Sequence, residues 1–261
     1  MILMDSTAEK LEIEFWKAIG KSTKGLEKAG VLFSAGVDSA VIAKAVSARV
    51  PKTVLFCAGL ENSQDLKFAE KSSEQMNLEL VEKIISEKEV KPALLQVRKI
   101  LAPLQLDDSL NLQIGVSEFF AMKAAKQAGF NVIFMGQGAD ELFAGYDRFR
   151  KTVEEKGIKA VNAECKRLFA KAARVDLKRD KAIAESFGLE LRLPFCEKEF
   201  AEFCLKIPAK EKIHSQNDLL RKHALRKLAE KIGVPEISYS RLKKAMQYGS
   251  SVGKKVIKLL R

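Results

Sequence analysis

The chain has 261 residues, 47% of them hydrophobic, and 46 Lys and Arg against 34 Asp and Glu give a formal net charge of +12. This length is enough to bury a sizeable core. No run of eighteen apolar residues occurs and the N-terminus has no signal-peptide pattern, so we predict a cytoplasmic protein without membrane contact. Four scattered cysteines, with no C-x-x-C pair, indicate free thiols rather than a zinc site.

The first half of the chain predicts alternating strands and helices. A capping-box pattern at 6–9 opens a helix that ends at about Ile19. Strands are predicted at 31–33, 53–57, 79–85 and 132–135, and helices at 39–48, 65–76 and 110–128. This alternation predicts an α/β fold, with a parallel sheet and helices on both of its faces.

After Tyr146 the strand signal disappears and the pattern becomes helical. Helices are predicted near 152–174, 179–187, 197–205 and 216–232. We therefore predict an α/β core over residues 1–147, followed by a mostly helical, substrate-side region over residues 148–261 that packs on it.

The predicted second region is strongly basic, with 29 Lys and Arg against 14 Asp and Glu. Such a surface can attract nucleotide and pyrophosphate, and it could also follow a nucleic-acid backbone. Few Tyr and Trp side chains are present to stack on bases, so we favour a solvated lysine-rich surface over nucleic-acid binding.

The loop after the first predicted strand has the composition of a pyrophosphate cradle. Gly36 and Ala35 leave the backbone open at a helix start, where unpaired N–H groups and the helix dipole favour anions. Ser34 and Ser39 add hydroxyl donors. Asp38 is unexpected beside phosphates and indicates a bridging Mg²⁺. The alternative is an ordinary strand-to-helix turn capped by Asp38 or Ser39.

A second small-residue loop follows the strand predicted at 132–135 and contains Gly136, Gly138, Asp140 and Glu141. Ligands of open parallel sheets bind at the carboxyl ends of strands, so both loops should face one crevice. Asp38 and Asp140 could then share one metal ion. The alternatives are turn chemistry for the glycines and helix N-terminal charge for the acids.

Five segments in a fixed order together resemble the synthetase domain of the asparagine synthetase and β-lactam synthetase family. These enzymes are ATP pyrophosphatases, which cleave ATP to AMP and pyrophosphate on an adenine nucleotide α-hydrolase-like fold. The matching segments are 34–39 (S-G-G-x-D-S in the family), 59–69, 136–146 (G-x-G-x-D-E-x-F-x-G-Y), 188–195 (G-x-E-x-R-x-P-F) and the lysine loop 241–249. The first motif is common among pyrophosphatases, whereas the combination is specific.

The resemblance implies a role for each matched residue. It implies ATP and pyrophosphate binding by Ser34, Ala35, Gly36, Asp38, Ser39, Gly59, Leu60, Gly136 and Gly138. It implies Mg²⁺ bound by Asp38 and Asp140, and Lys243 as the cation that offsets charge on the α-phosphate and leaving pyrophosphate. Substrate contacts are expected from Gln113, Glu141 and Arg192, although a structural role before Pro194 is the favoured alternative for Arg192.

Three positions depart from the family pattern. Gln137 stands where members usually carry a Glu that helps to deprotonate ammonia, and an amide cannot act as a base. Gln113 stands in the register of an Arg, and Ala35 replaces a Gly. These changes weaken the prediction that aspartate and ammonia are the substrates, but not the prediction of AMP-forming ATP chemistry.

The predicted function is an AMP-forming, ATP- and Mg²⁺-dependent amide ligase, with aspartate adenylation followed by amination as the first candidate reaction. About thirty residues precede the first loop, and Ile2 replaces the nucleophilic Cys of the family's glutaminase domain. We therefore expect free ammonia, another amine or a separate glutaminase partner as the nitrogen source, and a homo-oligomer is compatible with the sequence. The alternatives are a tRNA-modifying ATP pyrophosphatase and a catalytically altered nucleotide-binding protein.

Overall fold

Five parallel strands form one sheet in the computed structural model, which describes residues 7–242 and 249–260. The strands are β1 (Lys28–Leu32), β2 (Lys52–Leu60), β3 (Glu79–Ile85), β4 (Val132–Phe134) and β5 (Glu190–Arg192), in the spatial order β3-β2-β1-β4-β5. The predicted α/β class, with a parallel sheet and helices around it, is confirmed.

Helices cover both faces of this sheet. They are α1 (Thr7–Thr23), α2 (Val37–Ser47), α3 (Gln64–Met76), α4 (Glu87–Leu101), α5 (Ser109–Gln127), α6 (Ala139–Leu142), α7 (Arg148–Lys156), α8 (Val161–Ala172), α9 (Asp176–Ser186), α10 (Lys198–Lys206), α11 (His223–Lys231), α12 (Glu236–Tyr239) and α13 (Val252–Leu260). Over the described ranges, no helix combines the length and the apolar character needed to cross a membrane.

The central strands are buried on both faces. All residues of β1 after Lys28 are buried, and the run 53–59 of β2 is buried without interruption. Such continuous apolar runs are typical of the middle of a parallel sheet. One core cluster lies against α1, α2 and α3, and a second lies on the other face against α4, α5, α9 and α13.

A fifth strand shows that the expectation of no strand after Tyr146 is wrong. Residues Glu190–Arg192 pair with β4 at the edge of the sheet. The strand has only three residues and is largely exposed or half-buried, so its sequence carries no continuous apolar run. The boundary at residue 147 stays a prediction, although β5 and α13 both pack with elements of the first half.

The helical segments of the second half also differ from their predicted limits. The predicted helix 152–174 is two helices, α7 and α8, separated after Gly157, whose φ of +75° is incompatible with a continuous helix. The predicted helix 216–232 begins only at His223, because Arg221 and Lys222 adopt left-handed backbone angles (φ 51° and 54°).

Helix α4 was not predicted. Pro92 lies inside it, and an interior proline normally indicates a helix end. A capping box formed by Ser86 and Glu89 nevertheless fixes its start, and the buried side chains Val90, Leu94 and Val97 fix its orientation against the sheet.

The strand order reverses between β1 and β4. The chain builds β1, β2 and β3 outward in one direction and then returns to place β4 and β5 on the other side of β1. The carboxyl ends of β1 and β4 therefore border the crevice where open α/β sheets bind their ligands.

Candidate active site

Two loops meet in this crevice. We call residues 34–39 the serine loop and residues 136–146 the aspartate loop. A Cβ atom on Gly136 would lie 2.8 Å from the carbonyl carbon and 2.9 Å from the Cβ of Asp38, so the close approach of the loops requires glycine there. Gly138 has φ +95°, which turns the chain into α6.

Hydrogen bonds within the serine loop order it at the start of α2. The Ser39 hydroxyl donates to the carbonyl of Gly36 (3.2 Å) and accepts from the backbone N–H of Ser34 (3.2 Å). Gly36 is the N-cap of α2 and offers no side-chain cap to its first turn. Ala35 is fully buried in a left-handed conformation (φ 54°), which suits the glycine that the family has there.

A cavity of about 800 Å³ lies over both loops. Nine of the residues predicted to form a site line it. They are Ser34, Gly36, Asp38, Ser39, Gly136, Gln137, Gly138, Asp140 and Glu141. The prediction that the two loops face one crevice is therefore confirmed by the geometry.

Lys222 joins the two predicted metal-binding carboxylates. Its Nζ lies 2.6 and 2.7 Å from the two carboxylate oxygens of Asp38 and 2.6 Å from Oδ1 of Asp140. The Lys222 side chain is 2% exposed. A Cβ on Gly145 would lie 2.0 Å from both Asp140 Oδ1 and Lys222 Cε, so glycine is required beside this pair.

The same two carboxylates suit a divalent cation. Asp38 and Asp140 come from different strand ends and converge on one point in the cavity wall. Carboxylate oxygens beside an anion-binding loop are the ligands that Mg²⁺ uses together with substrate phosphates. The two carboxylates therefore fit the metal that the sequence predicted, and in this structure the ammonium of Lys222 lies between them.

Glu141 is a nearly fully buried acid next to Asp140. The hydroxyl of Tyr146 donates to its Oε1 at 2.5 Å, and its Oε2 has no hydrogen-bond partner in the described structure. Burial, reinforced by the charge of Asp140, raises the pKa of Glu141 to about 7. This carboxyl therefore titrates near neutral pH.

Arg241 ties the far end of the chain to the serine loop. Its guanidinium donates to the carbonyl of Ser34 (2.8 Å) and to Asp65 Oδ1 (2.9 Å), and it lies 4.1 Å from the ring centroid of Phe68. A Cβ on Gly249 would lie 2.2 Å from Asp65 Oδ1, so this glycine packs against the same carboxylate.

A buried ionic cluster closes the inner end of the cavity, between α5 and α9. Arg179 donates to Asn111 Oδ1 (3.0 Å) and Asp176 Oδ1 (2.9 Å), and its Nη2 lies 2.6 Å from Asp180 Oδ1. Glu118 Oε2 lies 3.6 Å from Arg179 Nε. Burial and the neighbouring Asp180 raise the pKa of Glu118 well above its ordinary value.

Comparison with known proteins decides the family. The model of the asparagine synthase family matches residues 10–174 and 152–261. A putative glutamine-hydrolyzing asparagine synthetase of Methanocaldococcus jannaschii is 31% identical over 98% of this chain and 52% of its own length. The chain belongs to the asparagine synthase family.

Other family members match less of their own length. The glutamine-hydrolyzing asparagine synthetase of Rattus norvegicus is 28% identical over 87% of this chain and 40% of its own. The chain thus spans about half or less of the curated relatives that it matches. A structure of NMN synthetase from Francisella tularensis shares the fold, with a TM-score of 0.50 and 14% identity over 94% of this chain and 78% of its own.

Some residues assigned to the site from the family pattern lie away from the cavity lining. Gln113 is buried and donates to the carbonyl of Ser109 (3.0 Å). Arg192 donates to Glu190 and to the carbonyl of Ser22, both at 2.7 Å, which ties β5 to α1. These contacts correspond to the structural alternative stated for Arg192.

The end of β2 is likewise tied to the C-terminal segment. Gly59 packs against Ser63, and the N–H of Leu60 donates to the carbonyl of Ser250 (3.0 Å). Lys243, the predicted catalytic cation of the family's lysine loop, lies outside the described residues.

The most important residue that sequence reasoning missed is Lys222. It stands in the basic run Arg221-Lys222-His223, which was assigned to an amphipathic helix. The available signal was the polar turn before it, where Asp218 Oδ1 accepts from the backbone N–H groups of Leu220 and Arg221 (3.1 and 3.0 Å). That turn ends the preceding segment and sets Lys222 at the N-cap of α11.

Proposed function

We propose that this chain is the synthetase unit of an AMP-forming, ATP-dependent amide ligase, with aspartate as the first candidate acid. One observation carries the proposal. Asp38 and Asp140, from two different strand-end loops, converge on one cavity wall beside a serine-rich helix start. Two acids beside a helix start that favours anions suit a divalent cation that substrate phosphates also ligate.

The serine loop would hold the phosphates. Ser34 and Ser39 offer hydroxyl groups, and the first N–H groups of α2 face the cavity end of the loop. Asp38 and Asp140 would hold Mg²⁺, which when bound offsets charge on the pyrophosphate. Lys222, and Lys243 by family position, would add positive charge toward the transition state.

The reaction would have two steps. A substrate carboxylate oxygen attacks the α-phosphorus of ATP, the bond to the β-phosphate oxygen breaks, and pyrophosphate leaves. An amine nitrogen then attacks the acyl carbon of the adenylate, AMP leaves, and the nitrogen loses a proton. Gln137 lines the cavity but cannot accept that proton, so the amine must arrive neutral or another group must take it.

The similarity to relatives named as glutamine-hydrolyzing asparagine synthetases supports asparagine as the product. The chain spans about half or less of the length of those proteins. We propose ammonia, another amine or a separate glutaminase as the nitrogen source. We place the reaction in the cytoplasm. Oligomerisation and nucleic-acid binding stay predictions, and nucleic-acid binding is the less favoured.

The test is pyrophosphate release from Mg²⁺ and ATP with a panel of amino acids, ammonium and bulk tRNA. We expect release with an amino acid, and we expect Asp38→Asn and Asp140→Asn each to abolish it while the fold is retained. Near-normal turnover by either variant would contradict the shared metal. Release that depends on tRNA alone would assign the chain to tRNA modification instead.

A further inference from the structure

A closed loop before α11 carries both histidines of the chain and Lys222. We call residues 212–223 the histidine loop. The backbone N–H of His223 donates to the carbonyl of Lys212 (3.2 Å), so the two ends of the loop meet. Lys222 lines the cavity beside the two predicted metal-binding carboxylates. Whatever fixes the histidine loop therefore also fixes a cation of the candidate site.

Three side chains of metal-binding type lie together in this loop. The ligand atoms of His214, Asp218 and His223 are all within 4.8 Å of one another. The two imidazole rings lie face to face, with their centroids 3.6 Å apart, and Nε2 of His223 lies 2.7 Å from Oδ2 of Asp218. Ligand atoms of a tetrahedral zinc ion, each about 2.1 Å from the metal, lie about 3.4 Å apart. Because His214 is exposed, a small movement of its ring would suffice to complete a three-ligand site.

Backbone donors already orient the carboxylate of this group. Oδ1 of Asp218 accepts from the N–H groups of Leu220 and Arg221, and Oδ2 accepts from the N–H of His214 (2.9 Å). Carboxylates that bind metal ions are usually held by hydrogen bonds of this kind. The contact between Asp218 and His223 is enough to close the loop, whereas a bound ion would use all three side chains.

The cations next to the group are paired in other directions. Arg221 donates to the carbonyl of Gly145 (3.0 Å) and pairs with Asp147 (3.4 Å), and the ammonium of Lys222 lies between the two carboxylates of the crevice. Imidazole nitrogens suit zinc, copper and nickel, whereas Mg²⁺ prefers oxygen ligands. The histidine loop therefore offers a donor set for a different metal from the one that fits the crevice.

We propose that His214, Asp218 and His223 form a site for a divalent transition-metal ion of the zinc class, and that the bound ion fixes the histidine loop and with it Lys222. The ion would join a residue near the start of the loop to the first residue of α11. Water can complete its coordination on the exposed side of His214. The proposal does not rest on the proposed function, because its tests measure metal binding without turnover.

The first test is proton NMR of the full chain at about pH 7.5, where ordinary imidazoles are mostly neutral and can bind metals. The chain has two histidines and both belong to the group, so their ring Cε1–H signals report on this site alone. ZnCl₂ is titrated in the presence of excess MgCl₂, which competes for carboxylate sites elsewhere. We expect both signals to move together and to reach a plateau at one zinc ion per chain. Further MgCl₂ should move neither signal.

Two variants locate the ion. His214→Ala removes an exposed ring but keeps the backbone N–H that donates to Asp218, so the loop is retained and the zinc affinity read from the His223 signal should fall at least about tenfold. Asp218→Asn keeps an acceptor oxygen and loses the charge, and it should weaken zinc binding similarly. Gln216→Ala, exposed in the same loop, is the matched control and should bind zinc like the wild type.

The second test measures amide hydrogen exchange by mass spectrometry. Zinc should slow exchange in peptides from the histidine loop at least about threefold in the wild type, but not in His214→Ala, and peptides from α10 should not change. Zinc binding without slower exchange would overturn the inference that the ion fixes Lys222. Histidine signals that do not respond to zinc, or an unchanged zinc affinity in His214→Ala, would overturn the site and leave Asp218 and His223 as a hydrogen bond that closes the loop.

Discussion

At the scale of single residues, Glu141 gives the chain a pH-dependent stability. Burial raises its pKa from 4.5 to about 7, so the folded state holds the proton more tightly than the unfolded state. The contribution of Glu141 to the free energy of unfolding is therefore fully present below about pH 4.5. It is lost progressively as the pH rises to about 7, and it stays lost above pH 7.

We expect Glu141→Gln to gain stability relative to the wild type over this interval, by about 3 kcal/mol between pH 4.5 and 8, which is the free energy of a shift of that size. A glutamine can still accept the Tyr146 hydrogen bond. Urea unfolding of both proteins at several pH values measures the difference. Glu185→Gln, exposed on α9, is the control, and its stability relative to the wild type should not change over this pH interval. A stability difference between Glu141→Gln and the wild type that stays constant with pH would contradict the prediction.

Lys222 gives a second residue-scale prediction. Its removal takes away the buried ammonium that joins Asp38 and Asp140, so Lys222→Gln should lower the free energy of unfolding by about 3 kcal/mol. Millimolar MgCl₂ should restore part of this loss and should stabilise the variant more than the wild type, in which the ammonium competes with the metal.

The control for this experiment is Lys231→Gln. The Lys231–Glu12 pair is exposed, so its loss should change the free energy of unfolding by less than about 1 kcal/mol and should not respond to MgCl₂. Equal effects of MgCl₂ on the wild type and on Lys222→Gln would mean that the two carboxylates do not bind Mg²⁺ together.

At the scale of elements, the contact between the serine loop and the aspartate loop requires that Gly136 carries a hydrogen atom where other residues carry a Cβ atom. Gly136→Ala would place a methyl group within 3.0 Å of the Asp38 backbone, which is not a flexible side-chain end and must move. We expect a loss of stability of at least about 1 kcal/mol and a larger proportional loss of Mg²⁺-dependent pyrophosphate release.

Gly20→Ala is the matched control for this substitution. A Cβ at Gly20, inside α1, meets nothing closer than 4.0 Å, and alanine favours the helix by about 0.5 to 1 kcal/mol. Chemical denaturation should therefore show opposite changes in stability for the two variants, and the activity of both is measured in parallel. A Gly136→Ala protein as active and stable as the wild type would contradict the tight contact.

The loops, strands and helix starts differ in how well sequence patterns predict them. The two loops were predictable because a strand, small residues and an acid stand together within about ten positions. Strand β5 was not, because its pairing with β4 is a contact between segments nearly 60 residues apart and its own residues are half-exposed. The helix starts at 148 and 223 depend on left-handed or polar turns that apolar periodicity does not report.

At the scale of the whole molecule, the two core clusters lie on opposite faces of one sheet, so we expect them to unfold together. Val256 of α13 is fully buried in one cluster, whereas Trp16, the single tryptophan, packs on the other. Val256→Ala should cost about 2 kcal/mol, and the loss should appear equally in Trp16 fluorescence and far-UV circular dichroism.

Leu259→Ala serves as the control for α13. Leu259 is 38% exposed, so its truncation should change stability by less than about 0.5 kcal/mol. Separate transitions by the two probes in Val256→Ala would show that α13 and its side of the sheet unfold independently of the face that carries Trp16.

The complete site was less predictable than the fold because its charged residues come from distant parts of the sequence. Local patterns identified Asp38 and Asp140, but the cation between them comes from Lys222, which is 184 residues beyond Asp38. The hydrogen bonds from Arg179 to Asn111 and from Arg241 to Ser34 likewise join segments whose proximity depends on the folded sheet. A single sequence reports charge and periodicity along the chain, not which distant charges meet.

The bond from Arg241 to the Ser34 carbonyl has a consequence for biosynthesis. It spans 207 residues, so a ribosome that adds about 5 to 20 residues per second produces the serine loop about 10 to 40 seconds before its anchor exists. The nascent chain can pair β1, β2 and β3 during that interval, but it cannot complete the cavity. Ligand binding should therefore begin only after the last third of the chain has emerged.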